Sequence, residues 1–170
     1  MDAPRAEATL EGRRLYDRDH DSYHYYEIEG VICTVNEHCT LEQVALFNRM
    51  HPAPGTFSST TPVVSGQLGM ASLGYEGTKL DDFGPIIHQV SNDGLTVVNI
   101  TAEGHRLYPG YVRRTVFRKG DDIYIRTVGE GIGAMPRINE DFASVLWNGL
   151  VNSHIRYRIN LQYRVKQHAR

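Results

Sequence analysis

Hydrophobic positions along the chain fall into stretches of period two separated by one clear helical stretch and a second near the end. Residues 22–35, SYHYYEIEGVICTV, are rich in tyrosine and β-branched side chains and predict a strand, with Gly30 at a bulge. Thr40 then caps TLEQVALFNRM. Gln43, three residues on, completes a capping box, and Leu41, Val44 and Phe47 recur at helical spacing. His51-Pro52-Ala53-Pro54-Gly55 stops that helix, since proline cannot continue it and glycine permits a turn. Residues 55–84 predict a long loop region with one or two short strands, such as one around Val63-Val64. From there the pattern is β. Residues 85–91, 95–101, 111–118 and 123–128 predict four strands, joined by Asn92-Asp93-Gly94, by residues 102–110 and by residues 119–122, in an antiparallel meander.

Asn139 predicts the cap of a last helix, EDFASVLWNGLVNS, with Phe142, Val145, Leu146 and Leu150 on one face. After it, Ile155, Tyr157, Ile159, Leu161, Tyr163 and Val165 take the odd positions. Arg156, Arg158, Asn160, Gln162, Arg164 and Lys166 take the even ones. Such alternation predicts a C-terminal strand with one cationic face, a continued basic helix being the alternative. The expectation is an α+β fold: an antiparallel sheet of four to six strands with a short N-terminal helix and a helix near the C-terminus. Residues 1–21 read as a mobile lead-in or short helix, and residues 22–170 as a single domain.

Composition changes this picture little. With 170 residues, 41% hydrophobic and 22% charged, the chain can build a real core. No run reaches the ~20 apolar residues of a membrane helix, so no membrane span is expected. The first residues lack the apolar core of a secretory signal. A cytoplasmic protein is expected, or one exported without an N-terminal signal peptide. Charge is less even than the net −2 suggests. Residues 1–103 hold 6 Lys/Arg against 15 Asp/Glu, and residues 104–170 hold 12 against 5. Either the basic part meets an anionic partner or the two parts neutralise each other. Cys33 and Cys39 are too few for a disulfide framework or a structural zinc site and read as two ordinary thiols in a reducing compartment. No metal and no cofactor is expected, and no oligomeric state is defined.

Candidate chemistry gathers in residues 104–133, GHRLYPGYVRRTVFRKGDDIYIRTVGEGIG. A two-residue Gly120-Asp121 turn sets Arg114 opposite Thr127 on an otherwise apolar face, whereas a three-residue turn sets Arg113 there instead. An arginine on such a face needs an anion or acceptors, from a carboxylate of the acidic part or from a ligand. His105 follows a strand end ahead of Tyr108 and Tyr111, where a proton-transfer group is well placed. His88, on the preceding strand, is a second candidate. Gly129-Glu130-Gly131-Ile132-Gly133 lacks the spacing and following helix of a phosphate loop and reads as a turn or bulge.

The run VVNITAEGHRLYPGYVRR, continuing to IYIRTVGEG, resembles C-terminal effector modules of bacterial polymorphic toxins over residues 84–150. That resemblance implies a secreted bacterial toxin domain, a small nuclease of the barnase and colicin-nuclease type, hydrolysing RNA without metal. His105 would be the acid/base, Arg114 the phosphate stabiliser, and Thr127 and Tyr111 helpers. His88, Tyr108, Arg113, Arg126, Arg156 and Arg158 would contact substrate. RNA or another anionic ligand and a cognate inhibitor protein are the partners implied. The strand before the first helix and the long loop depart from that pattern. A second reading is non-enzymatic. One strand, a short helix, an antiparallel sheet and a terminal helix resemble the helix-grip lipid-binding fold, with Tyr25, Tyr108, Tyr111 and Trp147 lining a pocket for a small apolar or amphipathic ligand. A third is a protein-interaction domain using the basic C-terminal strand as a sheet edge.

Overall fold

A computed structural model describes residues 3–56, 59–72, 82–134 and 136–169. Six strands, β1 (His24–Thr34), β2 (Leu68–Ser72), β3 (Asp82–Val90), β4 (Thr96–Thr101), β5 (Gly110–Lys119) and β6 (Asp122–Gly131), form one antiparallel sheet. Its order is β1-β6-β5-β4-β3-β2, so the first strand crosses over to pair with the last. Helix α1 (Ala3–Leu10) packs on the outer sheet face. Helix α2 (Leu41–Met50) and a long C-terminal helical run cover the inner face. That run comprises α3 (Pro136–Ala143), a π-helical stretch (Ser144–Val151) and α4 (Asn152–His168). No helix among the described residues is long and apolar enough to cross a membrane.

Local chemistry accounts for these elements. Thr40 and Gln43 close the capping box at the start of α2, each side chain bonding the other's backbone N–H. The β5–β6 turn gives the register in which Arg114 faces Thr127. The main core lies between α2, α4 and the near end of β5–β6, where Val44, Phe47, Val116, Ile123, Ile125 and Ile155 are all but completely buried.

Several sequence expectations are corrected. The C-terminal segment is helix, not strand, and it supplies no sheet edge. Ile155 and Ile159 are four apart and face inward, while Tyr157, Leu161 and Val165, also four apart, face outward. Two interleaved helical rows on opposite faces imitate period-two alternation. Gly129, Glu130 and Gly131 continue β6 rather than forming a turn. The last helical run begins at Pro136, ahead of Asn139, with proline where its missing N–H costs no bond. The bulge of β1 lies between Val31 and Cys33, just after Gly30. The short strand of the long loop is Leu68–Ser72, not one at Val63-Val64, and residues 73–81 of that loop lie outside the described residues. Cys33 and Cys39 are joined in a disulfide across the connection from β1 to α2, not left as thiols.

Candidate functional site

The inner face of β5 and β6 changes character along its length. Val116 and Ile125 pair in the closed core. One inward pair further on, Arg114 faces Thr127. The fully buried guanidinium donates from Nε to Asn48 Oδ1 (3.0 Å), from one Nη to Thr127 Oγ1 (3.2 Å) and from the other to Asn152 Oδ1 (2.6 Å). It lies 4.9 Å from the centre of the Trp147 ring. No carboxylate bridges it among the described residues. Burial alone pulls its pKa down to about 9, which leaves it charged at neutral pH. The π-helical stretch positions this cage. Asn152 Nδ2 donates to Asn148 Oδ1 at 2.7 Å, and both asparagines approach β1 so closely that a Cβ at Gly30 would collide with them.

The next inward pair is Val112 and Gly129, and here the face opens into a cavity of about 90 Å³, counted as space open to the centre of a water molecule. A single water needs roughly 10–15 Å³ by that measure, so the space suits a small organic molecule. Its floor is residues 110–112 and 129–130 of the two strands. Trp147 and Leu146 of the C-terminal run, Phe83 and Ile86 of β3, and Leu107 supply apolar wall, with Ala53 and Pro54 after α2. Tyr26 crosses Gly129, whose missing Cβ would otherwise lie 2.2 Å from the ring. The Tyr26 hydroxyl accepts from Trp147 Nε1 at 2.9 Å, and its own hydrogen has no acceptor among the described residues. Burial raises the Tyr26 pKa, so this hydroxyl stays protonated.

Two histidines complete the wall. His105 Nδ1 accepts from the Leu107 N–H at 3.0 Å, which places the ring proton on Nε2. Burial holds its pKa down to about 4, so the ring is neutral and a donor. Gly84, at φ +118°, lets the β3 backbone run against His105 where a Cβ would lie 2.6 Å from its Cα. Burial also lowers the pKa of His24, which is 3.3 Å from the Ser22 carbonyl through Nδ1. Donation from Nδ1 leaves Nε2 of His24 as an acceptor. Asn99, also in the wall, is already engaged, bonding His88 Nδ1 (2.9 Å) and the Pro52 carbonyl (2.7 Å). No group of three His, Cys, Asp or Glu converges among the described residues to hold a metal.

Neither a family model nor a curated protein sequence matches the chain. Solved structures do. An Arabidopsis thaliana member of the major latex protein family superposes with a TM-score of 0.54 at 10% identity, over 84% of this chain and 98% of that one. Ara h 8.0201 superposes with a TM-score of 0.52 at 8% identity, over 81% and 97%. The chain has the helix-grip fold. This overturns the nuclease-type fold implied by residues 84–150, and the bacterial toxin, hydrolase and ribonuclease reading with it. Export as a secreted effector loses the resemblance it rested on.

Within the helix grip, the residues expected to act together lie apart. His105 lines the cavity, while Arg114 and Thr127 bond each other beneath Trp147 and are absent from the cavity wall. The Tyr111 side chain packs on the outer face with Val98 and Ile100, and its hydroxyl donates to Glu130 at 2.5 Å. Glu130 also accepts from the backbone N–H groups of Leu15 and Tyr16 at 3.0–3.2 Å, fastening the segment after α1 to the sheet. Burial, then this carboxylate, raises the Tyr111 pKa. His88 is buried against Asn99, and Tyr108 is about half exposed. Arg113 reaches the Thr9 carbonyl, and Arg126 pairs with Glu27 and Glu29 on the outer face. Arg156 donates to the Val31 carbonyl, and Arg158 lies over Phe47. Of the tyrosines expected in a pocket, Tyr25 faces outward under Arg14, and Tyr26 takes the inward place. His24, Tyr26, Phe83 and Leu146 were not legible as site residues. Strand alternation could have separated Tyr25 from Tyr26 once the inner face was assigned through Ile28 and Gly30.

Proposed function

We propose that this chain is a non-catalytic binding protein that holds a small amphipathic molecule between the inner sheet face and the Trp147 segment. One observation carries the reading. The cavity is walled by apolar and aromatic side chains, and three polar groups on it, those of His24, Tyr26 and His105, still have hydrogen-bonding capacity to offer. Binding sites of this kind combine an apolar body with a small number of placed polar groups. The Nε2–H of His105 and the hydroxyl of Tyr26 are donors, and Nε2 of His24 is an acceptor. The cation that could have stabilised a reacting anion, Arg114, has its donors directed at three side-chain oxygens. His105 is uncharged at neutral pH.

Native mass spectrometry of the purified chain tests the reading. A retained small molecule released on unfolding is the expected result. A folded chain that carries nothing and takes up no member of a panel of aromatic and aliphatic amphipaths would count decisively against it.

A further inference from the structure

The C-terminal helix carries a surface that neither the core nor the cavity uses. Ile155 and Ile159 anchor α4 at 0% and 4% exposure. On the other side, Tyr157, Leu161 and Val165 succeed one another at four-residue spacing and are 59%, 38% and 62% exposed. Phe142 and Val145, earlier in the same helical run, are exposed as well. Single exposed apolar side chains are ordinary, but a row of them along one helix marks a contact surface. The helix carries Arg156, Arg158, Arg164 and Lys166 and not one acidic residue. Arg156 is held at the flank by the Val31 carbonyl (2.8 Å) and the Asn148 carbonyl (3.3 Å). Arg158 is held over the Phe47 ring, and Arg164 stands exposed.

We propose that this face of α4 docks on an anionic membrane surface. The apolar row enters the boundary between headgroups and acyl chains, and the arginines meet lipid phosphate and carboxylate groups. An apolar row bordered by cations is the pattern of helices that lie in that interface. Charge argues against a second copy as the occupant, since two such helices would bring only like charges together. Nucleic acid would satisfy the arginines but leave Leu161 and Val165 without a role, because bases stack on aromatic rings.

The test is co-sedimentation of the full chain with vesicles of phosphatidylcholine alone and with roughly a third phosphatidylserine. Binding is expected on the phosphatidylserine vesicles and should weaken as salt shortens the screening length. Replacing Tyr157, Leu161 and Val165 together by serine should lower partitioning by roughly tenfold or more. Circular dichroism verifies the fold of that variant. Arg164→Glu, a change on an exposed side chain, should remove the preference for phosphatidylserine and provides a second reading if the triple variant fails to fold. Failure of the folded wild type to bind either vesicle would overturn the proposal. So would equal binding by the folded triple variant, a dimer that the triple variant loses, or retention of RNA but not vesicles. None of these outcomes bears on the cavity, whose lining includes no residue of α4.

Discussion

Two neighbouring residue pairs on the same two strands meet opposite fates. At Arg114 and Thr127 the space between sheet and helices is filled by one side chain, whose charge is spread over Asn48, Thr127 and Asn152. At Val112 and Gly129, one inward step along, the space is left open. The strands are continuous through both. What differs is what the helices send down and what the strand withholds. Asparagines from α2 and α4 close the first site. Glycine at 129 withholds a side chain from the second, and Tyr26 and Trp147 bridge over it, joined by a hydrogen bond. The cavity is therefore a bounded feature, and the Arg114 cage fills the neighbouring position on the sheet outside its wall.

The largest effect should come from breaking that cage. Arg114→Ala strands buried Asn48 and Asn152 without their partner and removes the packing beneath Trp147. A loss of about 3–5 kcal/mol is expected in urea unfolding. Arg114→Met, which fills the volume without the charge, should cost clearly less. Equal losses for the two would show that the polar cage, not the filled volume, holds this end closed.

Glu130→Gln on the outer face comes next. Hydrogen bonds to charged groups contribute roughly 1.5–3 kcal/mol, and Glu130 makes several. The amides of Leu15 and Tyr16 should exchange hydrogen markedly faster in the variant, while Trp147 emission stays as it is. A change on the cavity side would mean that the two faces are coupled.

Gly129→Ala probes the open site directly. Its Cβ would lie 2.2 Å from the Tyr26 ring, so the ring must swing into the cavity. The expected stability loss is about 1–3 kcal/mol, with ligand uptake abolished. Uptake at wild-type strength would place the binding site elsewhere.

The pH effect is the smallest. The folded-state pKa of His105 is depressed from 6.5 to about 4, so the unfolded chain takes up the proton first as pH falls. Its contribution is intact above about pH 6.5 and is lost progressively between there and about pH 4. His24, His51 and His88 are also depressed by burial and act in the same direction. His105→Gln should make stability less steeply pH-dependent in that window, by at most about 1.4 kcal/mol per pH unit. An unchanged slope would mean that His105 is not held neutral in the fold.

The antiparallel sheet and the capped helix α2 were legible because each rests on local rules, strand alternation and a capping box, whereas the hairpin register stayed open between Arg113 and Arg114 until the turn was seen to hold two residues. The C-terminal helix was not. Its inward pair Ile155 and Ile159 and outward row Tyr157, Leu161 and Val165 interleave into false alternation, and only packing reveals which row is buried. The cavity was legible only in part. Trp147 and His105 stood out by chemical type, but Tyr26 differs from Tyr25 only in which sheet face it occupies. The role of Arg114 as a buried structural group rather than an anion site depended on Asn48 and Asn152, which lie far from it in sequence. The resemblance to toxin modules failed for a related reason, since strand order and a His-Arg-Thr set do not define a fold until the helices are placed.

Trp147, the chain's single tryptophan, sits in the cavity wall and offers the most direct test. Its emission should be followed while the amphipathic dye ANS is added to the wild type and to folded Gly129→Ala. Ligand binding in the cavity predicts a saturable change in the wild type that the variant lacks. The same saturable change in both proteins, or none in either, would contradict it.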